Sequence, residues 1–154
     1  MINLIDEKDV TAATLSVELE KATIQYKTHQ DNSLYVTESG WFPFWVSVLP
    51  KSGLVVLSTH VELRESANEL ERLLLANAMN RSAYGITAYV SGDQLMIEHI
   101  LNFRDGLLRE TFIRVSRNFS KVIEKVMKEH DADFQILIPL YEKPVRNTDE
   151  GQVA

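Results

Sequence analysis

Two stretches of the chain alternate between apolar and polar residues with a period of two and flank a tight turn. Residues 86–90 (Ile-Thr-Ala-Tyr-Val) and 94–103 lie on either side of Ser91-Gly92-Asp93. Gly92 supplies the positive φ that a two-residue turn demands, so the pattern predicts a β-hairpin centred on Gly92-Asp93. In that register Val90 faces Leu95, Ala88 faces Ile97 and Ile86 faces His99. Leu101 and Phe103 extend this apolar face. Tyr89, Thr87, Met96, Glu98 and Asn102 fall on the other, mixed face, as in an antiparallel sheet covered on one side.

A second hairpin is predicted upstream. Phe44–Leu49 and Leu54–Thr59 are joined by Pro50-Lys51-Ser52-Gly53, a four-residue loop rich in turn formers. With Leu49 opposite Leu54, the residues Phe44, Val46, Val48, Val55 and Leu57 share the better core face. Trp45, Ser47, Leu49, Leu54, Val56 and Ser58 share the other, which is less polar than a solvated face requires. Shorter strands are expected at Ile24–Thr28 and Leu34–Thr37.

The period changes to 3.6 in three places. Ala12, Leu15, Leu19 and Ala22 align on a helix over Thr11–Ala22, with Thr11 as N-cap. Ser66-Ala67-Asn68-Glu69 matches a capping box and opens a helix ending near Asn80. Ala67, Leu70, Leu74 and Ala78, with Leu73, are its expected buried stripe. Leu108, Phe112, Val115, Phe119, Val122, Ile123 and Val126 form the stripe of a long helix from Leu107 to His130. Asp105 is its expected cap. A helix of that span is about 36 Å long at about 1.5 Å per residue, which suggests that its last turns project or pack on a partner.

Residues 1–10 read as a flexible N-terminal arm, residues 11–141 as a single domain and residues 142–154 as a disordered tail, polar from Pro144 onward. Phe134–Leu140 alternates like a strand, which Pro139 confines to an edge or ends. The order α-β-β-β-α-β-β-α defines an α+β domain with helices packed on a largely antiparallel sheet.

Composition narrows the function. At 154 residues, 45% hydrophobic and 25% charged, the chain fits one soluble domain with a real core. It contains no cysteine, which excludes thiol catalysis, disulfides and cysteine-ligated metals. No apolar run approaches the roughly 20 residues of a membrane span. The opening residues lack the basic start and apolar core of a signal peptide, so a cytoplasmic protein is expected. The net charge of −6 argues against a general nucleic-acid binder.

The element order and a few residues resemble a known family. A helix ending in Leu74-Leu75-Ala76-Asn77-Ala78-Met79-Asn80, a hairpin, and Asp105-Gly106-Leu107 opening a final helix with Phe119 are similar to the YbjN-like proteins, bacterial domains described as sensory transduction regulators. The same order is similar to the fold of type III secretion chaperones. The resemblance covers about Thr11 to His130. It implies a cytoplasmic bacterial protein, often a homodimer, that acts by binding another protein. It supplies no catalytic residues.

Candidate surfaces follow from the residues themselves. Trp41-Phe42-Pro43-Phe44-Trp45 holds both tryptophans. Its structural reading is closure of the core at one end of the sheet; its functional reading is an aromatic anchor for a partner. Trp41, Phe42, Trp45, Leu54 and Val56 are the expected partner-binding residues. On the long helix Arg114, Arg117, Lys121, Lys125 and Lys128 form a basic strip. Its plain reading is a solvated face; its sharper reading is contact with an acidic partner or nucleic acid. No aromatic interleaves it, which speaks against single-strand binding. The four histidines lack metal-site spacing, and no Gly-rich phosphate loop or Gly-x-Ser-x-Gly elbow occurs. No metal, cofactor or catalytic group is therefore expected. The dense carboxylates Glu62, Glu65, Glu69 and Glu71 read as helix N-terminal preference for acids, and Asn77 and Asn80 as hydrogen-bonding residues at the helix end.

The combined expectation is a non-enzymatic protein-binding module that buries an apolar segment of a partner or a second copy of itself. One alternative is an enzyme or small-ligand binder with a pocket between the sheet and the long helix, marked by Glu98 or His99 with a perturbed pKa. Another is nucleic-acid contact through the basic strip.

Overall fold

The computed structural model describes residues 3–142. The chain runs β1 (Leu4–Ile5), α1 (Ala12–Lys21), β2 (Tyr26–Thr28), β3 (Leu34–Val36), β4 (Phe44–Leu49), β5 (Leu54–Glu62), α2 (Glu69–Ser82), β6 (Thr87–Ser91), β7 (Gln94–Asn102), β8 (Leu107–Leu108) and α3 (Arg109–His130). Six strands form one antiparallel sheet in the order β2-β3-β4-β5-β7-β6. The mixed α+β class expected from the sequence is the one observed.

Both hairpins have the expected register. Leu49 pairs with Leu54 and Val46 with Leu57, while Val90 pairs with Leu95 and Ala88 with Ile97. Gly92 turns the second hairpin at φ 60°, a conformation that costs glycine nothing. The inward residues Phe44, Val46, Val55, Leu57, Leu95 and Ile97 are buried together with Leu15 and Leu19 of α1, Leu75 and Met79 of α2 and Phe112, Phe119 and Ile123 of α3. All three helices thus pack into one core on a single face of the sheet.

Thr11 caps α1 as expected, its side chain accepting from the Thr14 amide at 3.1 Å. The cap of α2 is displaced. Asn68, not Ser66, holds the helix start, with Oδ1 accepting from the Glu71 amide at 2.8 Å. Ala67 is buried in the turn before it, donating to the Arg64 carbonyl, so the chain enters the helix two residues later than a capping box at Ser66 requires. We expect Asn68→Ala to lower stability by about 1 kcal/mol and Ser66→Ala to change it by less than about 0.5 kcal/mol. Chemical denaturation of the two variants checks the assignment, and the reverse ranking contradicts it.

Three further expectations are corrected. Residues 1–10 are not a free arm throughout: Leu4–Ile5 pairs with Leu107–Leu108, and Ile5 is buried. That pairing takes Leu107 out of α3, which starts at Arg109 with no side-chain cap, while Leu108 faces outward rather than into the core. Asp105 and Gly106 both adopt positive φ and form the turn before β8 instead of a cap. Finally, Phe134–Leu140 makes only a single bridge, Leu63 to Leu137, before a short 3₁₀ turn at Leu140–Glu142. The Asp131 carboxylate accepts from the amides of Gln135, Ile136 and Leu137, so those donors are withdrawn from any strand ladder. The expected tail from Pro144 lies outside the described residues.

Polar contacts lock the helices onto this frame. Glu18 of α1 is buried and pairs with Arg109 at the start of α3. Asn80 of α2 exchanges two hydrogen bonds with Ala88, donating to its carbonyl at 2.8 Å and accepting from its amide at 2.6 Å. It thereby satisfies backbone groups of β6 that the sheet edge leaves open. The last turns of α3 do not project: Val126 and Met127 are buried, and His130 hydrogen-bonds to Ser82 Oγ at 2.7 Å.

Candidate functional site

The face of the sheet opposite the helices is not covered by any other element among the described residues. β-strand alternation places Trp45, Ser47 and Leu49 of β4, and Leu54, Val56 and Ser58 of β5, on that face. Register then sets Val56 between Ser47 and Ile100, and Leu54 between Leu49 and Asn102. Trp45, Leu54 and Val56 are half-buried, whereas Leu49 and Ile100 are 44% and 50% exposed. Trp45 is held from one side by Tyr35 and His29, each with its ring centroid 4.5 Å away. The two rings hold the indole in place.

Trp45, Leu54 and Val56 come together as the sequence predicted. Trp41 and Phe42 do not join them. Phe42 is buried in the core, and its amide donates to Ser120 Oγ on α3 at 2.6 Å. Trp41 stacks on Phe44, 6.5 Å between ring centroids, and packs against the core from outside. The chain turns inward before β4 starts, and this separates the two halves of the aromatic cluster.

A second apolar surface was hidden from the sequence reading. In α2 the expected buried stripe is the wrong one: Leu70, Leu73 and Leu74 are 65%, 49% and 57% exposed, while Leu75, Ala76 and Met79 face the core. Leu73, Leu74 and Leu75 are consecutive and span about 200° of the helix circumference, at 3.6 residues per turn, so all three cannot be buried against one core. That run was the available signal.

The basic residues of the expected strip lie on the surface of the long helix. Arg114, Arg117, Lys121, Lys125 and Lys128 are all exposed on α3. Among the described residues only Lys125 of the five has an ion-pair partner, Glu129 at 3.8 Å. On one side of the strip lies a hollow of about 580 Å³ reaching Arg109 and Glu18. On the other, a cleft of about 290 Å³ lies between α3 and the start of the second hairpin, with Ile86, Phe119 and Val122 on its floor and His99 in its wall. Burial pushes the His99 imidazole below its ordinary pKa, and a hydrogen bond to the Gly85 backbone opposes that shift. Glu98 lies on the other face of β7, where it accepts from the Tyr89 hydroxyl at 2.8 Å, and it takes no part in this cleft.

Among the described residues no group of three or more His, Cys, Asp or Glu side chains is placed to hold a metal ion. Among the described residues no helix is long and apolar enough to cross a membrane.

Comparison with known proteins places this geometry. No curated protein sequence matches the chain. The crystal structure of YbjN from E. coli superposes with a TM-score of 0.69 at 22% identity, covering 82% of this chain and 95% of that one. The Yersinia pestis type III secretion chaperone SycH, solved in complex with a stable fragment of YscM2, gives a TM-score of 0.49 at 11% identity over 76% of this chain and 97% of the other. The model of the YbjN family, described as "Putative bacterial sensory transduction regulator", matches residues 11–136. With the match spanning most of its length, this chain belongs to the YbjN family.

Proposed function

We propose that the protein is a non-enzymatic, regulatory protein-binding module. It docks an apolar segment of a partner protein on the open sheet face and pairs with a second copy of itself through α2. The observation that carries this reading is the one-sided covering of the sheet. Helices bury one face, and the other keeps Trp45, Leu54, Val56, Leu49 and Ile100 within one register-defined patch. Exposed apolar patches of this kind mark interaction surfaces, and a tryptophan packed at one end of the patch is a favoured energetic anchor.

The α2 stripe suits a second copy. Antiparallel pairing of two such helices about Leu73 brings leucine onto leucine, the self-complementarity that a two-fold interface requires.

The two surfaces are tested separately. Leu73→Glu is expected to convert a dimer into a monomer in light scattering after size exclusion, with the fold intact by circular dichroism. Trp45→Ser with Val56→Ser is expected to leave the dimer intact and to reduce capture of the partner at least tenfold in affinity purification with nuclease present. A wild-type monomer removes the α2 interface. Partner capture unchanged by the double substitution removes the sheet face.

A further inference from the structure

We infer that the cleft between α3 and the start of the second hairpin is a binding site for a small organic acid, a carboxylate carried on a short apolar body. The site is separate from the sheet face and the α2 stripe, so it stands or falls independently of the protein-binding reading.

The floor and the rim specify the two halves of the ligand. Ile86, Phe119 and Val122 give an apolar base, which favours a hydrocarbon or aromatic body. Lys121 and Lys125 stand at the edge, and none of the lining residues is a carboxylate. On a chain with 22 acidic and 16 basic residues, a cleft with two ammonium groups and no acid is a local reversal of charge. Neither lysine is held by a close ion pair among the described residues. Among the described residues Lys121 has no ion-pair partner, and Lys125 reaches Glu129 only at 3.8 Å, with 67% of its side chain exposed.

His99 supplies orientation. It is half-buried in the cleft wall, with its ring close against Gly85. Gly85 has φ +82°, and a Cβ there would lie 3.1 Å from the ring. Glycine adopts that positive φ without strain and leaves room for the imidazole to lie close to the backbone. An imidazole in the wall, an apolar floor and two exposed cations at the mouth form a few convergent polar groups over a hydrophobic base, the usual composition of a small-molecule site.

Size limits the occupant. At about 290 Å³ the cleft is just below the roughly 300–1,000 Å³ of drug-sized ligand pockets. It accepts one small acid and excludes a dinucleotide.

The test uses the full chain, 4-phenylbutyrate as probe, and amide chemical shifts as the readout. 4-Phenylbutan-1-ol and 4-phenylbutylamine carry the same body with a neutral and a cationic head. Saturable binding of the acid is expected, with shifts centred on Gly85, His99 and Asn118–Val122. The alcohol should bind at least fivefold more weakly and the amine not detectably. Lys121→Gln with Lys125→Gln, both at exposed positions, should weaken the acid at least fivefold and leave the alcohol unchanged. Val122→Phe, which fills the cleft, should abolish both, with amide dispersion reporting that the fold persists. The proposal is overturned if the acid does not saturate, if acid and alcohol bind alike, or if the shifts fall on the sheet face or α2.

Discussion

Phe119→Ala should destabilise the fold by about 3–5 kcal/mol, the range for removing a large aromatic side chain from a packed core. Phe119 is only 2% exposed, and its ring meets Phe44 of β4 edge-on with centroids 5.2 Å apart. This contact joins the middle of α3 to the first long strand. Truncation removes the transfer free energy of the ring and also the edge-to-face term, itself about 0.5–1.5 kcal/mol. One feature moderates the loss: Phe119 also floors the cleft beside Val122, so water can enter part of the vacated volume. The expected value therefore lies nearer 3 than 5 kcal/mol, still a large share of the roughly 5–15 kcal/mol that holds a domain together. Phe119→Leu, which keeps most of the volume, should cost about 1–1.5 kcal/mol. Urea denaturation should show a lower midpoint with an unchanged slope. A loss below about 1.5 kcal/mol for Phe119→Ala is incompatible with the packing described.

The sheet was legible in the sequence because its information is local. Gly92 fixes the turn, Val90 and Leu95 fix the register, and strict alternation fixes which side chains point inward. The same alternation puts Trp45, Leu54 and Val56 on one surface. The helix ends were less legible because they depend on distant residues. Asp105 looks like a cap until Leu107 is seen to pair with Ile5, more than a hundred positions away. The buried face of α2 was misread because apolar residues surround much of that helix. Periodicity selects a stripe only when the opposite face is polar, and Leu70, Leu73 and Leu74 compete equally well with Leu75, Ala76 and Met79. The cleft at His99 had only a partial signature. Its residues come from the loop before β6, from β7 and from α3, and nothing in their spacing brings Lys121 to His99. Packing of the long helix across the second hairpin does that.

The C-terminal segment shows the same competition between local pattern and long-range chemistry, and it yields the second large effect. Asp131→Ala is expected to cost about 3 kcal/mol, on the basis that hydrogen bonds to charged groups are worth about 1.5–3 kcal/mol each and do not add fully when they share one acceptor. Asp131 is 6% exposed. Its Oδ1 accepts from the Gln135 amide at 2.9 Å, Oδ2 accepts from Leu137 at 2.7 Å, and Ile136 donates to both at 3.2 Å. Removing the carboxylate strands these donors, of which that of the fully buried Leu137 is the least able to find water. The effect spreads because this turn aligns the strap that follows β5: the Arg64 amide donates to the Ile136 carbonyl at 2.8 Å, Ile138 to Glu62 at 2.8 Å, and Arg64 Nε to the Phe134 carbonyl at 2.6 Å. Asp131→Asn keeps one carbonyl acceptor and should cost about half as much. Hydrogen exchange separates the turn from the rest of the molecule. The amides of residues 135–137 should lose protection first in Asp131→Ala, followed by those of Arg64 and Ile138, while the β4–β5 hairpin exchanges only as fast as the reduced global stability dictates. If those three amides remain protected and stability falls by less than about 0.5 kcal/mol, the ordinary range for a surface substitution, the carboxylate is not what orders the segment, and the bridge between Leu63 and Leu137 together with the Arg64 side chain must hold it.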